Sequence, residues 1–278
     1  MKTKNKVLSQ ALIYIILGVT AIVFFFPFFW MLRTSVSGVT DLFSPDVKLL
    51  PSQIMWENFK QALTSQPFGL FFVNSTVIAV ANIIGVLLTS SLCAYGFSRI
   101  DWPGRDTIFG ILLTALMLPY VVLMIPQFVG WKTLGLTDTY APLIIPSFFG
   151  GGLFNIFLLR QFFLSIPREI DEAARIDGAG HFRIYASIIV PLSKQSMVVV
   201  GLFTFLNSWN DYLTPILYLS SEKKYTLMLG LTLFQGSYSA QWHLMMAAVA
   251  IIVIPSIIFF LIAQKFLVEG IATTGIKG

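Results

Sequence analysis

The residues best suited to a specific chemical task lie in one short charged stretch between two long apolar runs, Glu172-Ala173-Ala174-Arg175-Ile176-Asp177-Gly178. Glu169, Asp171 and Glu172, at the start of this stretch and just before it, favour a helix start, because carboxylates suit the positive end of the helix dipole. Gly178 is typical of a helix end, since glycine readily adopts the left-handed conformation. The small side chains of Ala173 and Ala174 would allow another protein to approach closely. This chemistry is that of a protein contact, and a solvated connector is the alternative interpretation.

The segment that carries this stretch is predicted to span residues 165–193. Ser165 and Pro167 favour a helix start, because serine caps free N–H groups and proline suits the first helical position. After Gly178 the chain turns, and a second short amphipathic stretch runs from His181 to Val190. We therefore expect a helix–turn–helix segment, with a first helix over Pro167–Asp177.

The composition indicates a membrane protein. The 278 residues are 56% apolar and 11% charged, whereas soluble domains carry about 25% charged residues. The net charge is +5, but the sequence has no cluster of Lys and Arg with interleaved aromatic residues, so we expect no nucleic-acid partner. Cys93 is the single cysteine, and His181 and His243 lie far apart in the sequence. We therefore expect no intrachain disulfide, metal or other cofactor in this chain, and no catalytic residues.

Apolar runs predict an all-α integral membrane protein with six transmembrane helices, because backbone groups in lipid must bond internally. The predicted spans are Ala11–Leu32, Phe71–Phe97, Thr107–Val129, Ala141–Phe163, Ser196–Leu219 and His243–Phe266. Residues 1–10 and 267–278 are then tails, and residues 11–266 form one transmembrane domain. Pro119 and Pro126 predict a bend in the third span, and Gly150-Gly151-Gly152 favours close helix packing.

Basic residues predict the orientation. With the N-terminus inside, 12 of the 18 Lys and Arg residues fall on the inner side. Both termini and the segment around Glu172 are then cytoplasmic. The longest outer segment, Thr34 to Leu70, contains Trp56-Glu57-Asn58-Phe59, where a short surface helix is expected.

Polar side chains within the spans are candidates for a transport path, because ionisable groups are costly in lipid. The candidates are Asn207, Trp209, Asn210 and Asp211 in the fifth span. Planar polar groups beside an aromatic face are suited to sugars. The alternative is that Asp211 lies near the membrane surface and pairs structurally.

The charged segment also resembles a family motif: Glu-Ala-Ala, three residues, Gly, nine residues, then Ile-x-Leu-Pro. This chain has Glu172-Ala173-Ala174, Gly178 and Ile188-Ile189-Val190-Pro191, with Val190 in place of Leu. With this motif the chain resembles the permease subunits of binding-protein-dependent ABC importers. Trp209-Asn210-Asp211-Tyr212, Ala94 to Arg99 and the ending Glu269 to Gly278 are similar to the carbohydrate-uptake branch, in particular to the second membrane subunit of the maltose importer.

This resemblance implies a sugar importer of the bacterial or archaeal cytoplasmic membrane. Its other parts would be a second permease, two copies of an ATP-binding subunit that holds ATP and Mg, and an extracytoplasmic sugar-binding protein. Within the coupling helix between the fourth and fifth spans, Glu172 would contact the ATPase and Gly178 would set the docking angle. Ala173 and Ala174 would allow close approach, and Asp177 would cap the helix or pair with Arg175 or Arg183.

Two alternatives remain at this point. One is a secondary transporter driven by an ion gradient, which would typically show inverted repeats and several midplane charges. The other is an ABC permease for a solute that is not a sugar.

Overall fold

The computed structural model describes residues 2–46, 48–236 and 240–274. Throughout these ranges the regular structure is helical, apart from a single antiparallel bridge between Gln235 and Ala240. The α-helices are α1 (Lys2–Ser35), α2 (Val39–Leu42), α3 (Glu57–Ser65), α4 (Phe68–Arg99), α5 (Arg105–Thr114), α6 (Tyr120–Thr133), α7 (Ala141–Ile144), α8 (Leu153–Ser165), α9 (Glu169–Ile176), α10 (His181–Ile184), α11 (Val190–Leu192), α12 (Lys194–Trp209), α13 (Leu213–Tyr218), α14 (Leu227–Gly230) and α15 (Trp242–Thr274). Short 3-10 turns cover Ala115–Met117, Ile145–Phe148, Glu222–Lys224 and Leu231–Phe234, and a π-helix covers Tyr185–Ile189.

Four stretches are long and apolar enough to cross a membrane: Gln10–Ser35, Phe68–Arg99, Ala141–Ser165 and Trp242–Leu267. The third of these is interrupted over residues 149–152. Two further candidates are bent pairs, Arg105–Met117 with Tyr120–Thr133 and His181–Leu192 with Lys194–Trp209. The predicted total of six is reached only if each bent pair counts as one span. The chain is thus an all-helical protein with four to six candidate spans.

The third predicted span bends much more sharply than one proline kink requires. Its two halves meet at 96°. Leu118 is extended, with ψ 119°, and Pro119 follows it. The residue before a proline avoids the helical region, so the break falls here. Pro126 lies inside α6 without ending it.

The triple glycine joins the 3-10 turn at Ile145–Phe148 to α8. All three glycines have positive φ, from 63° to 91°. A Cβ on Gly151 would lie 2.8 Å from the carbonyl oxygen of Val86 and 3.0 Å from the Cβ of Ser90. Glycine is therefore required for close approach to α4, as the sequence predicts.

The fifth predicted span, Ser196–Leu219, is wrong as a single helix. Helix α12 ends at Trp209, and α13 begins again at Leu213. The three residues between the helices are flanked by apolar residues, so the mean hydropathy of the region stays high. Hydropathy therefore could not reveal the interruption.

The helices also extend into both predicted tails. Helix α1 begins at Lys2 and α15 continues to Thr274. The end of the family-like tail, residues 275–278, lies outside the described residues. The short surface helix expected around Trp56 is present as α3.

The chain divides into two units, which are described separately. Unit 1 comprises Met1–Phe68 and Leu231–Ile254. In its core, Phe68 stacks on Phe234 with ring centroids 5.7 Å apart. The Asn58 amide donates to the carbonyls of Ser35 and Ser37, both at 2.9 Å, and so fixes the end of α1.

Unit 2 comprises Gly69–Gly230 and Pro255–Gly278. Its larger apolar cluster joins α4, α8, α9 and α12 through buried residues that include Tyr95, Leu159, Phe163, Ala174, Ile184 and Val200. A smaller cluster contains Ile78, Leu143, Tyr218, Leu219 and Leu229. The larger cluster holds the predicted coupling segment in place.

Candidate functional site

The predicted coupling segment contains a helix, but that helix starts later than expected. Helix α9 spans Glu169–Ile176. Ser165 is instead the last residue of α8, and its hydroxyl donates to the carbonyl of Phe162 at 2.7 Å. The predicted serine cap is therefore wrong, because Ser165 bonds back into the preceding helix. Acidic residues do occupy the first turn, as expected.

The predicted helix end at Gly178 is confirmed. Gly178 has φ 81°, and its N–H donates to the carbonyl of Arg175 at 3.0 Å. The N–H of Ala179 donates to the carbonyl of Ala174 at 2.9 Å. These two bonds form a Schellman motif, which satisfies carbonyls at the helix end. Space around Gly178 is open, so glycine is needed for its backbone angle and not to avoid a clash.

The two alanines of the motif face different ways. Ala173 is exposed, whereas Ala174 is 9% exposed and packs in the core of unit 2. Successive helical residues are about 100° apart, so neighbours cannot share one narrow face. The expectation that Ala174 contacts a partner is therefore wrong. Its small side chain allows α9 to approach its own bundle.

Glu172 and Asp177 lie on the exposed side with Ala173. Asp177 is the C-cap residue, with its N–H bonded to the carbonyl of Ala173 at 3.1 Å. The expected ion pair of Asp177 with Arg175 or Arg183 does not form among the described residues. The outer face of α9 therefore carries charges available to another protein.

A buried ion pair, which was not among the residues predicted from the sequence, anchors α9. Arg99 Nη1 lies 3.4 Å from Asp171 Oδ2, and the two side chains are 1% and 7% exposed. Arg99 Nη2 also donates to the carbonyls of Phe163 and Ile166. One guanidinium thus joins the end of α4, the end of α8 and the start of α9. An arginine ending a long apolar helix was the available signal, but its partner could not be identified from the sequence.

Further ion pairs surround this anchor. Arg168 and Arg105 contact opposite oxygens of Asp101, at 3.2 and 2.6 Å. Arg105 and Arg160 likewise contact Asp106, at 3.2 and 2.8 Å. The pKa of Asp101 is lowered, first by the hydrogen bond from Arg168 and then by its charge. Both aspartates are well exposed, so these pairs orient the segment more than they stabilise it.

The second half of the segment packs against α4 through hydroxyl and ring contacts. Tyr185 Oη and Ser91 Oγ lie 2.7 Å apart and are buried. The ring of Tyr95 meets that of Tyr185 edge-on, with centroids 5.4 Å apart. Tyr185 begins the π-helix, a departure from regular helix that is frequent at functional sites. Both halves of the segment are thus attached to α4.

Two large apolar side chains beside the Gly178 turn are highly exposed. Ile176 is 87% exposed and Phe182 is 75% exposed. They lie on either side of Gly178 in the sequence. A single exposed apolar residue is ordinary, but two flanking an ordered turn beside an exposed charged face are typical of a protein contact. The sequence does not identify these two residues as candidates for a protein contact, because amphipathic patterning alone assigns them to a buried face.

The predicted path residues do not form one cluster. Trp209 is 3% exposed, stacks on Phe205 with centroids 5.2 Å apart and meets Phe72 edge-on at 5.6 Å. It belongs to the packed interior of unit 2. Asn207 and Asn210 are exposed, and the Asn210 amide donates to the carbonyl of Leu206 at 2.8 Å.

Asp211 lies in the break between α12 and α13 and is half-buried. Its Oδ1 accepts the N–H of Thr214 at 3.1 Å, which caps the start of α13. The structure thus gives Asp211 a local role close to the alternative stated above. That Asn207, Asn210 and Asp211 line a path remains a prediction.

The described residues contain no group of three or more His, Cys, Asp or Glu side chains placed to hold a metal ion. The charged groups of the segment are paired or exposed. The first helix of the segment is thus anchored on its inner side and exposed on its outer side.

Residues 86–273 match the family described as "Binding-protein-dependent transport system inner membrane component". The chain belongs to this family. It is therefore a multi-pass membrane permease component of a transport system and not an enzyme.

Three curated relatives cover nearly all of the chain. It is 33% identical to the inner membrane ABC transporter permease protein YcjP of Escherichia coli, over 100% of both chains. It is 30% identical to the arabinooligosaccharides transport system permease protein AraQ of Halalkalibacterium halodurans, again over 100% of both. It is 33% identical to the sn-glycerol-3-phosphate transport system permease protein UgpE of Yersinia pestis, over 93% of this chain and 94% of the relative.

A solved structure has the same fold. It is a chain of a bacterial ABC transporter involved in the import of the acidic polysaccharide alginate, with a TM-score of 0.81 and 25% identity. The match covers 92% of this chain and 95% of that one. Fold and sequence therefore agree on the family.

Proposed function

We propose that this chain is the permease subunit of an ATP-driven importer for a sugar delivered by an extracytoplasmic binding protein. The observation that carries the energy-coupling part is the Arg99–Asp171 pair, which attaches α9 to the ends of α4 and α8. A helix held this way transmits a push or pull to two membrane helices together. Glu172, Ala173 and Asp177 are free on its outer side.

In this proposal the segment 165–193 faces the cytoplasm and α9 docks on an ATPase subunit. Ile176 and Phe182 supply apolar contact area, and Glu172 supplies a polar contact. Two ATPase copies bind ATP and Mg, and a second permease completes the membrane unit. Closure of the ATPase pair moves the docked helices, and Arg99 passes that movement to α4 and α8.

Sugar as cargo is supported by the relatives. AraQ is named for arabinooligosaccharides and the structural neighbour for alginate. UgpE is named for sn-glycerol-3-phosphate, which makes a polyol phosphate the second candidate. Both candidates carry hydroxyl groups, and the second also carries a phosphate.

Purification of the tagged chain from its native membrane tests the assembly. We expect one copy of this chain to be recovered with one copy of a second permease and two copies of an ATPase. Hydrolysis of ATP by this complex, with its binding protein, should then be stimulated by a sugar from a panel that also contains sn-glycerol-3-phosphate. Recovery of the chain alone, under conditions that preserve other complexes, would favour a secondary transporter.

Substitution of Gly178 tests the docking turn. Gly178→Val should abolish uptake while the chain remains in the membrane, because a β-branched residue at φ 81° is strained by about 1–2 kcal/mol and alters the turn. Gly180→Val is the matched control, since Gly180 is extended and also in open space. Normal uptake by Gly178→Val would argue against the docking role.

A further inference from the structure

A cavity of about 380 Å³ lies within unit 1, away from the coupling segment in the sequence. Trp30, Arg33, Asp41, Phe43 and Trp242 are among its lining residues. They come from the end of α1, from α2 and its C-terminal flank, and from the start of α15. The volume is within the usual range of small-molecule sites, about 300–1,000 Å³.

Arg33 is the unusual residue of this cavity. It is 6% exposed, and its Nε has no hydrogen-bond partner among the described residues. It forms no ion pair with that part of the chain; its guanidinium lies 5.1 Å from the ring centroid of Trp30. Burying a guanidinium N–H without an acceptor is costly. A ligand that supplies acceptor oxygens would relieve that cost.

Asp41 provides the complementary group. One carboxylate oxygen accepts the N–H of Ser52 at 2.8 Å. The hydrogen bonds from Ser52 lower the pKa of Asp41, so it remains an ionised acceptor at neutral pH. The cavity therefore contains a group that only donates and a group that only accepts hydrogen bonds.

The aromatic lining is held in position. Trp30 stacks on Phe26 with centroids 6.0 Å apart and also contacts Arg33. Trp242, at the first position of α15, is 42% exposed. Indole faces present flat apolar surface, which suits the C–H face of a sugar ring.

We propose that this cavity binds one saccharide unit, with Arg33 and Asp41 bonded to its hydroxyl groups and the indole rings against its apolar face. A hydroxyl both donates and accepts, so a polyhydroxylated ring satisfies the donor and the acceptor together. A lone phosphate or carboxylate would satisfy Arg33 but would face the negative charge of Asp41. The site rests on the proposed function only in taking the ligand to be the transported sugar.

The test uses the full complex in nanodiscs and the radiolabelled sugar that stimulates its ATP hydrolysis. Binding is measured without the external binding protein. Arg33→Met should weaken binding about tenfold or more, because a charge-assisted hydrogen bond is lost. Arg33→Lys should restore part of it. Trp242→Ala should weaken binding less, and Trp56→Ala is the control, since Trp56 is 70% exposed and does not line the cavity.

Each outcome decides the proposal. Equal binding by the wild-type complex, Arg33→Met and Trp242→Ala would overturn the saccharide site while leaving sugar uptake intact. If Arg33→Met instead removes a tightly bound anionic lipid, seen by mass spectrometry of the intact complex, and sugar binding is unchanged, the cavity is a lipid site and the proposal fails. If no sugar stimulates hydrolysis but sn-glycerol-3-phosphate does, the proposed cargo fails first and the saccharide site fails with it.

Discussion

Two polar regions of unit 2 use their charges in opposite ways. In the segment 165–193, Asp171 turns inward to Arg99, while Glu172 and Asp177 stay exposed. At the break over residues 210–212, Asp211 and Asn210 instead bond to nearby backbone groups. The first arrangement fixes a helix and leaves a face free for another protein. The second provides hydrogen bonds to the backbone where one helix ends and the next begins. An acidic residue within a predicted span is therefore not by itself a transport residue.

The largest effect is expected from breaking the anchor of the first region. Asp171→Ala leaves Arg99 buried without its charge partner, which typically costs about 3–5 kcal/mol. We expect a lower melting temperature of the purified complex and loss of uptake. Arg99→Met with Asp171→Leu should recover much of the stability, because an apolar pair of similar size avoids the unpaired charge. If Asp171→Ala melts like the wild type, the pair is not an anchor.

The exposed side of the same region should behave differently. Ile176→Ser and Phe182→Ser should leave the melting temperature of the chain nearly unchanged, since both side chains are already in solvent. Each should weaken retention of the ATPase by about tenfold, the loss expected for an apolar contact worth about 1.4 kcal/mol. Leu134→Ser is the control, because Leu134 is 68% exposed and lies outside the segment. Equal ATPase retention by all three variants would place docking elsewhere.

The second region is tested by two substitutions of Asp211. Asp211→Asn keeps an oxygen that can cap α13, whereas Asp211→Ala removes it at a cost of about 0.5–2 kcal/mol. If Asp211 also lines the path, Asp211→Asn lowers uptake while assembly and melting stay normal. Normal uptake by Asp211→Asn, with poor assembly by Asp211→Ala, would leave only the capping role.

The smallest effect concerns the exposed ion pairs beside the anchor. Because its partners lower the pKa of Asp101, its stabilising contribution is present above the unfolded pKa of about 3.9. That contribution is lost as the pH falls through the lower folded pKa. Asp101→Asn should therefore lower the melting temperature slightly at pH 7, and the difference should vanish in acid. A difference that is constant with pH would exclude this origin.

Local features could be predicted from the sequence. The Gly178 turn follows from nearby residues alone, because a Schellman motif needs only a glycine after a helix. The bend at Pro119 is local in the same sense, whereas the contact of Gly151 with α4 joins residues far apart in the sequence. Helical character follows from the long apolar runs.

Features that depend on distant residues could not be predicted. Of the acidic residues in the first turn of α9, Asp171 faces Arg99, which lies on another helix. Ala174 is buried for the same reason. The break after Trp209 could not be predicted, because apolar residues lie on both sides of it. The Asp211 side chain caps the helix that follows the break.

In the proposed importer the outer face of α9, and not the break at residues 210–212, meets the ATPase. Glu172→Cys and Asn207→Cys, each in a Cys93→Ser background, place one thiol on an exposed residue of α9 and the other on an exposed residue of the last turn of α12, just before the break. Treatment of the complex with a short thiol–amine crosslinker should join the ATPase to the first variant and not to the second. Equal adducts from both variants, or adducts only from Asn207→Cys, would contradict docking of the ATPase on the outer face of α9.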